Sequence, residues 1–358
     1  MSVDATPQPA EGATPPAEAA RAAFPAPIAR RTLVPVSFEL YPPRTDAGRV
    51  SLDRTIDHLA SIDPGFISVT YGAGGTSGGR SLEVLRGIRA RTSVEPLAHL
   101  TCVGNTYAGA TTLIREFLDA GILSFLALRG DPPEGSVEGD DFLGDLGSAA
   151  ELVQLIHRAQ AERAQYAETS LSDVPGAAVV GVPNRARIAV AAFPNGHPRS
   201  RGVSQDIDTL LSKQAAGATL AITQLFFHAD HYLAFVARAK AAGVTMPILP
   251  GIMPITTPGR LRRVLELSGE EVPAELEIAL QVEPDDEGRV QIGIEYAAQL
   301  CRDVLAGGAP GIHLYAFNEY KTVLAVLEAA GLLADLPFHS IPRVLRPARS
   351  RRTVFQTP

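Results

Sequence analysis

Along most of this chain, short runs of consecutive apolar residues alternate with stretches in which apolar positions recur every three or four residues. The first pattern fits strands buried on both faces; the second fits helices with one apolar stripe. The first strand is expected within residues 33–44, where Val34, Val36, Phe38 and Leu40 alternate with smaller or polar residues. Pro42 and Pro43, which have no N–H to donate to a ladder, end it. Helical spacing follows over 52–62 (Leu52, Ile56, Leu59, Ile62), then a β-rich run over 66–71 and a helix carrying Leu82, Leu85 and Ile88. Further strands are expected at 96–103, 122–128, 187–193, 220–226, 248–252 and 311–317. Helices are expected at 108–120, 149–164, 206–216, 232–242, 260–267, 291–305 and 320–333, while 169–184 and 273–286 interrupt the alternation. About eight strand-then-helix units with apolar strands predict a parallel sheet covered by helices. Their count and the chain length favour a closed (β/α)8 TIM barrel over an open doubly wound sheet.

Composition sharpens the boundaries. Residues 1–32 are mostly Ala, Pro and Glu without hydrophobic period, and are expected to be a disordered tail outside the barrel, which is assigned to 33–342. They lack the basic start and apolar core of a secretory signal. Residues 343–358 form a basic tail with Arg343, Arg346, Arg349, Arg351 and Arg352, expected to be solvated. The chain of 358 residues is 46% hydrophobic and 20% charged, enough for a sizeable core, with eight Tyr, thirteen Phe and no Trp. A net charge of -7 argues against general nucleic-acid binding. No apolar run reaches membrane-spanning length. The two cysteines, Cys102 and Cys301, sit in apolar stretches and are expected to be buried thiols of a cytoplasmic protein.

Polar residues gather where the strands end: Glu39, Thr70, His99, Asp131, His197, Gln224 and Asn318. In a barrel these ends share one face, so side chains distant in sequence converge on one pocket. Glu39 lies among Phe38, Leu40 and Tyr41, and desolvation there is expected to raise its pKa towards that of a proton donor at neutral pH. A structural ion pair with an arginine such as Arg44 is the other reading of the same residue. The Gly-rich stretch 72–79 fits neither the dinucleotide fingerprint nor the P-loop and is expected to be a βα turn. His228 and His231 are expected to be an exposed pair, with no metal site, because no ligand cluster of suitable spacing accompanies them.

Several motifs then occur in a fixed order: Ser37-Phe38-Glu39-Leu40-Tyr41-Pro42-Pro43, Val69-Thr70-Tyr71-Gly72-Ala73, His99-Leu100-Thr101-Cys102, Leu128-Arg129-Gly130-Asp131, Ala221-Ile222-Thr223-Gln224 and Pro250-Gly251-Ile252-Met253-Pro254. With them the chain resembles the methylenetetrahydrofolate reductases of the bacterial, single-domain type. The resemblance implies a (β/α)8 barrel holding FAD, with NAD(P)H reducing the flavin and 5,10-methylenetetrahydrofolate then accepting the hydride to give 5-methyltetrahydrofolate. It implies that Glu39 is the general acid that protonates the departing N10, and that Asp131 tunes the flavin and helps hold the substrate. Gln224 matches a pterin-binding glutamine and Thr70 a nicotinamide contact. The flavin positions implied are Tyr71, Ala73, His99, Arg129, Gly130, Asp131, Ala149, His197, Asp206 and Lys213.

The chain also departs from the family pattern. Phe193 stands where a flavin-contacting tyrosine is expected, and Thr209 and Ser212 replace an asparagine and an arginine on the cofactor-binding helix. Arg260 and Glu319 occupy folate-side positions held elsewhere by glutamine and arginine. The resemblance further implies a homo-oligomer that supplies methyl groups for methionine synthesis. Three other readings remain open on the sequence. They are the same reaction by direct hydride transfer without tightly bound flavin, a folate-dependent methyltransferase barrel, and a folate- or flavin-binding module without turnover.

Overall fold

The computed structural model describes residues 30–71, 78–131, 143–164, 168–170, 178–180 and 186–335. Eight parallel strands form the centre: Val36–Leu40, Phe66–Val69, Glu95–Thr101, Ser124–Leu128, Arg187–Ala192, Leu220–Thr223, a seventh in two segments (Ile248–Leu249 and Gly251–Ile252), and Ile312–Tyr315. Each pairs with its sequence neighbour, the eighth pairs back with the first, and the two segments of the seventh join through Pro250, so the ring closes. The expected TIM barrel is therefore present.

Alternation along the strands divides the core in two. Phe38, Leu40, Ile67, Val69, Ala98, Leu100, Phe125, Ala127, Ile188 and Val190 belong to the large cluster shared with the surrounding helices. Leu97, Leu126, Ala189 and Ile222 form a separate small cluster on the opposite face of their strands. The positions of the same phase on the first and eighth strands are polar: Ser37 and Glu39, His313 and Tyr315. One side of the barrel interior is thus apolar filling, and the other carries titratable groups.

The helices begin where hydroxyl or carboxylate side chains take up free N–H groups. Thr45, Thr106, Thr257 and Asp285 cap Asp46–Ala60, Tyr107–Asp119, Pro258–Ser268 and Asp286–Ala306 in this way. Residues 273–286, which broke the expected alternation, contain an extra helix, Ala274–Val282. Of the expected excursion at 169–184, Glu168–Ser170 and Ala178–Val180 form a two-stranded antiparallel ladder, and the remainder lies outside the described residues.

The boundary of the N-terminal tail needs a correction. Arg30–Thr32 pairs antiparallel with Leu333–Asp335, so three residues assigned to the tail belong to the folded body; residues 1–29 and 336–358 lie outside the described residues. The closing helix ends at Ala329 rather than 333, because the chain turns through Gly331 at φ +70° into this short strand. Arg30–Glu328 and Arg31–Asp63 ion pairs flank it. No helix among the described residues is long and apolar enough to cross a membrane.

Candidate active site

The first strand delivers Glu39 to the barrel interior between the third and eighth strands. Its Oε2 lies 3.5 Å from His99 Nε2 and 3.8 Å from His313 Nε2. Both imidazole nitrogens are buried and make no hydrogen bond among the described residues, so these are charge contacts rather than closed hydrogen bonds. On its other side His313 Nδ1 is 2.8 Å from the Ser37 hydroxyl. His99 is 5% exposed and His313 fully buried, while the Glu39 side chain keeps 20% of its surface exposed.

Glu39 does not pair with Arg44, and its carboxyl is not raised as the sequence suggested. Burial alone pushes it up, but His99, and then His313, outweigh that and hold it below the ordinary carboxylate range. His99 is itself held down, by burial first, with Glu39 opposing. The expectation failed because the local sequence shows the apolar neighbours of Glu39 and not the two imidazoles that other strands bring to it. Groups this close share protons and titrate as a unit.

The ends of the fifth and sixth strands are built differently. Phe193 sets its ring edge-on to His197, with centroids 4.7 Å apart. The His197 amide donates to Asp206 Oδ1 at 3.4 Å, while Asp206 Oδ2 is buried and has no partner among the described residues. Burial lowers the His197 pKa, with Arg199 and Arg129 adding to the shift and Asp206 and Asp131 opposing it, so three charges selected from the sequence, Arg129, Asp131 and Asp206, share its neighbourhood. Lys213 is buried and donates to the Ala191 carbonyl at 2.8 Å; burial brings its ammonium down to about 8. Thr209 and Ser212 are exposed and donate to the backbone of their own helix, at Gln205 and Asp208.

Gly130 shows why the Arg129-Gly130-Asp131 turn needs its glycine. Its φ is +86°, and a Cβ there would lie 2.5 Å from Val103 Cγ2. Asp131 is exposed, Arg129 and Tyr71 are partly exposed, and Ala149 is buried at the start of Ala149–Ala164. Thr70 is fixed by its backbone, its N–H on Leu40 and its carbonyl accepting from Ser81. Ala73 lies outside the described residues.

Around the eighth strand, Phe317 and Asn318 adopt positive φ of 49° and 59°. Asn318 holds this turn by accepting from Tyr41 N–H and donating to Tyr41 O. The Arg260 guanidinium sits 4.4 Å from the centre of the Phe317 ring. Glu319 is exposed and accepts from the Lys321 amide at the start of Tyr320–Ala329. Gln224 donates its backbone N–H to Ala192 O, and its side-chain oxygen accepts from Leu225 N–H.

The strand ends thus bring Glu39 and His99 together, and gather Arg129, Asp131, Phe193, His197, Asp206 and Lys213 on a second flank. Sequence reasoning missed His313, Ser37, Thr223 and Tyr315. The usable signal was a histidine and a tyrosine two apart inside an apolar strand, in phase with Ser37 and Glu39. Of the histidine pair set aside earlier, His228 is exposed and His231 half-buried, and no group of three metal-binding side chains occurs among the described residues. A 270 Å³ cavity between Asp46–Ala60 and Gly78–Arg91 is lined by Arg44, Arg80, Glu83 and Arg91 and contains none of the strand-end residues, so shape alone does not mark the site.

The donor set fits the implied flavin dinucleotide. Asp206 offers a buried carboxylate oxygen with no partner among the described residues, suited to a hydroxyl donor, and Lys213 spends one of its three donors on the Ala191 carbonyl.

Comparison with known proteins identifies the family. The sequence model of the family described as methylenetetrahydrofolate reductase matches residues 27–331. A protein of Salmonella typhimurium called 5,10-methylenetetrahydrofolate reductase is 32% identical over 302 residues, covering 84% of this chain and 92% of its own. A protein of Oryza sativa subsp. japonica called probable methylenetetrahydrofolate reductase (NADH) is 33% identical over 326 residues, 89% of this chain and 53% of its own. The chain therefore spans about half the length of that plant relative. Among solved structures, an uncharacterized protein from Clostridium thermocellum that binds two copies of 5-methyl-5,6,7,8-tetrahydrofolic acid aligns with TM-score 0.50 at 14% identity, over 84% of this chain and 95% of that one; this likeness shows the fold alone. The family match spans most of the barrel, and the chain belongs to the methylenetetrahydrofolate reductase family.

Proposed function

We propose that this chain reduces 5,10-methylenetetrahydrofolate to 5-methyltetrahydrofolate with NAD(P)H, in a ping-pong sequence that uses FAD at the strand-end face. The plant relatives named for NADH make that nucleotide the first donor to test. When bound, FAD supplies a two-electron carrier between the nicotinamide and the folate.

The observation that carries the reading is the cluster in which Glu39, its side chain 20% exposed, faces the buried His99 and His313. Opening the five-membered ring of the substrate requires a proton on N10, and hydride addition to the methylene carbon completes the methyl group. Glu39 is the group that gives this proton. Because its carboxyl and the facing His99 are both held below their ordinary values, the protonated fraction of Glu39 sets the pace of this step as pH rises. Ser37 orients His313 from behind, at 2.8 Å. His197, Asp206 and Lys213 hold the dinucleotide, Arg129 and Asp131 border it, and Thr70 and Tyr71 bound the nicotinamide side. Gln224 binds the pterin, having an amide that both donates and accepts. Arg260 meets the carboxylates of the folate tail in place of Glu319, whose charge repels them.

One observation favours a second reading, direct hydride transfer without tightly held flavin: Thr209 and Ser212 both spend their hydroxyls on their own helix. An absorption spectrum of the purified protein, repeated under anaerobic conditions with NADH and then NADPH, separates the two. A flavin band bleached by a nucleotide supports the first reading. A featureless spectrum that FAD does not change, with turnover intact, supports the second.

A further inference from the structure

The sixth strand ends at Thr223, directly before Gln224, and its link to the seventh strand is irregular. The ladder pairs Ile248 with Ala221 and Leu249 with Ile222, and stops at Pro250. Beyond the break, Gly251 N–H donates to the Thr223 hydroxyl at 2.9 Å. The Thr223 carbonyl accepts instead from Tyr315, which reaches across the seventh strand from the eighth with its hydroxyl at 2.9 Å. The crossing requires glycine beneath it: a Cβ on Gly251 would lie 2.3 Å from the Thr223 carbonyl oxygen and 2.9 Å from the Tyr315 hydroxyl. Tyr315 pairs with Glu39 in the register of the eighth and first strands and lies edge-on to His313, with centroids 5.4 Å apart. Burial, and after it Glu39, drives the phenol far above its ordinary pKa, so it remains a donor at every working pH. Without that donor the carbonyl would be left unsatisfied inside the barrel, which loosens a strand end.

We propose that Tyr315 is a positioning residue for the substrate: its bond to the Thr223 carbonyl fixes the end of the sixth strand and, through it, the Gln224 amide. The inference rests on the reading of Gln224 as the pterin-binding group. It ties the proton-donating side of the barrel to the substrate-binding side through one phenol.

The test combines hydrogen exchange of the segment 220–227 with steady-state kinetics for Tyr315→Phe, Gln224→Ala and the double variant in the full chain. Expected for Tyr315→Phe are faster exchange in that segment and a rise of about tenfold in the folate KM. The kcat at saturation should change by less than about twofold, and the pH profile should stay in place because Glu39, His99 and His313 keep their contacts. The double variant should be no worse than Gln224→Ala alone, as expected for residues acting as one unit. Gly251→Ala, which crowds the same bridge, should reproduce the KM rise. Multiplying losses in the double variant, a fall in kcat with KM unchanged, or a wild-type KM in Gln224→Ala would each overturn the inference while leaving the reductase reading standing. A wild-type chain that does not turn over methylenetetrahydrofolate would remove that reading instead. The exchange measurement still judges the bridge in that case, because unchanged exchange in Tyr315→Phe overturns it without any substrate.

Discussion

The two flanks of the strand-end face are prepared for different work. On the flank of the first, third and eighth strands, Glu39, His99 and His313 face one another in a buried cluster, with Ser37 behind His313. On the flank of the fifth and sixth strands, Asp206 keeps an oxygen without a partner among the described residues, His197 is half-buried, and Thr209 and Ser212 are exposed. A proton donor works best when its neighbours are fixed and water is excluded, because the low local dielectric strengthens each contact. A cofactor-binding surface works best with donors and acceptors left for the ligand to satisfy. The first flank already sets its charged groups against one another, at 3.5 and 3.8 Å, whereas Asp206 Oδ2 on the second meets no partner among the described residues.

That contrast predicts separable losses. The largest is expected for Glu39→Gln, which should lower folate reduction by about 10²–10⁴-fold while NAD(P)H still reduces the flavin at the wild-type rate. Separate anaerobic half-reactions check this; equal losses in both would erase the division. Next, Asp206→Ala should weaken flavin binding by about 10–100-fold, since a hydrogen bond to a charged group contributes about 1.5–3 kcal/mol. Flavin titration with excess cofactor should recover folate turnover in that variant, and failure to recover would place Asp206 on the proton side.

His99→Gln sharpens the comparison through pH. Protonated His99 lowers the Glu39 carboxyl, so removing it should raise Glu39 and move the alkaline limit of the folate step to higher pH. Folding stability carries the same signature. The folded-state pKa values of both His99 and Glu39 lie below their ordinary values of 6.5 and 4.5. The unfolded chain therefore binds more protons, and the stabilisation is complete above 6.5 and lost as pH falls through the folded values. Thermal melts at pH 8 and pH 5 should show a lower Tm in acid, and a smaller drop in His99→Gln. The smallest effect is expected for Arg260→Ala, a few-fold rise in folate KM from losing a cation stacked on Phe317, about 0.5–1 kcal/mol, with kcat unchanged.

Much of the fold was legible because its signals are local. Apolar strands alternating with periodic helices gave the eight-unit barrel, and the strand ends gave Glu39 and His99 as neighbours. The short strand Arg30–Thr32 was not legible, since three polar residues carry no period and their partner at Leu333–Asp335 is three hundred residues away. The direction of the Glu39 shift was misread for the same reason: its apolar neighbours are adjacent in sequence, while the imidazoles that outweigh them come from the third and eighth strands. His313 and Tyr315 lay inside a strand read as apolar, where their phase with Ser37 and Glu39 becomes visible only once the eighth strand pairs with the first.

The most direct test of the account is the anaerobic reoxidation of NADH-reduced enzyme by 5,10-methylenetetrahydrofolate, followed by flavin absorbance in wild type and Glu39→Gln. The account predicts that both proteins are bleached alike by the nucleotide, and that the wild type alone regains its flavin band rapidly when the folate is added. A Glu39→Gln enzyme that reoxidises at the wild-type rate would contradict it, and would move the proton donor away from the buried cluster.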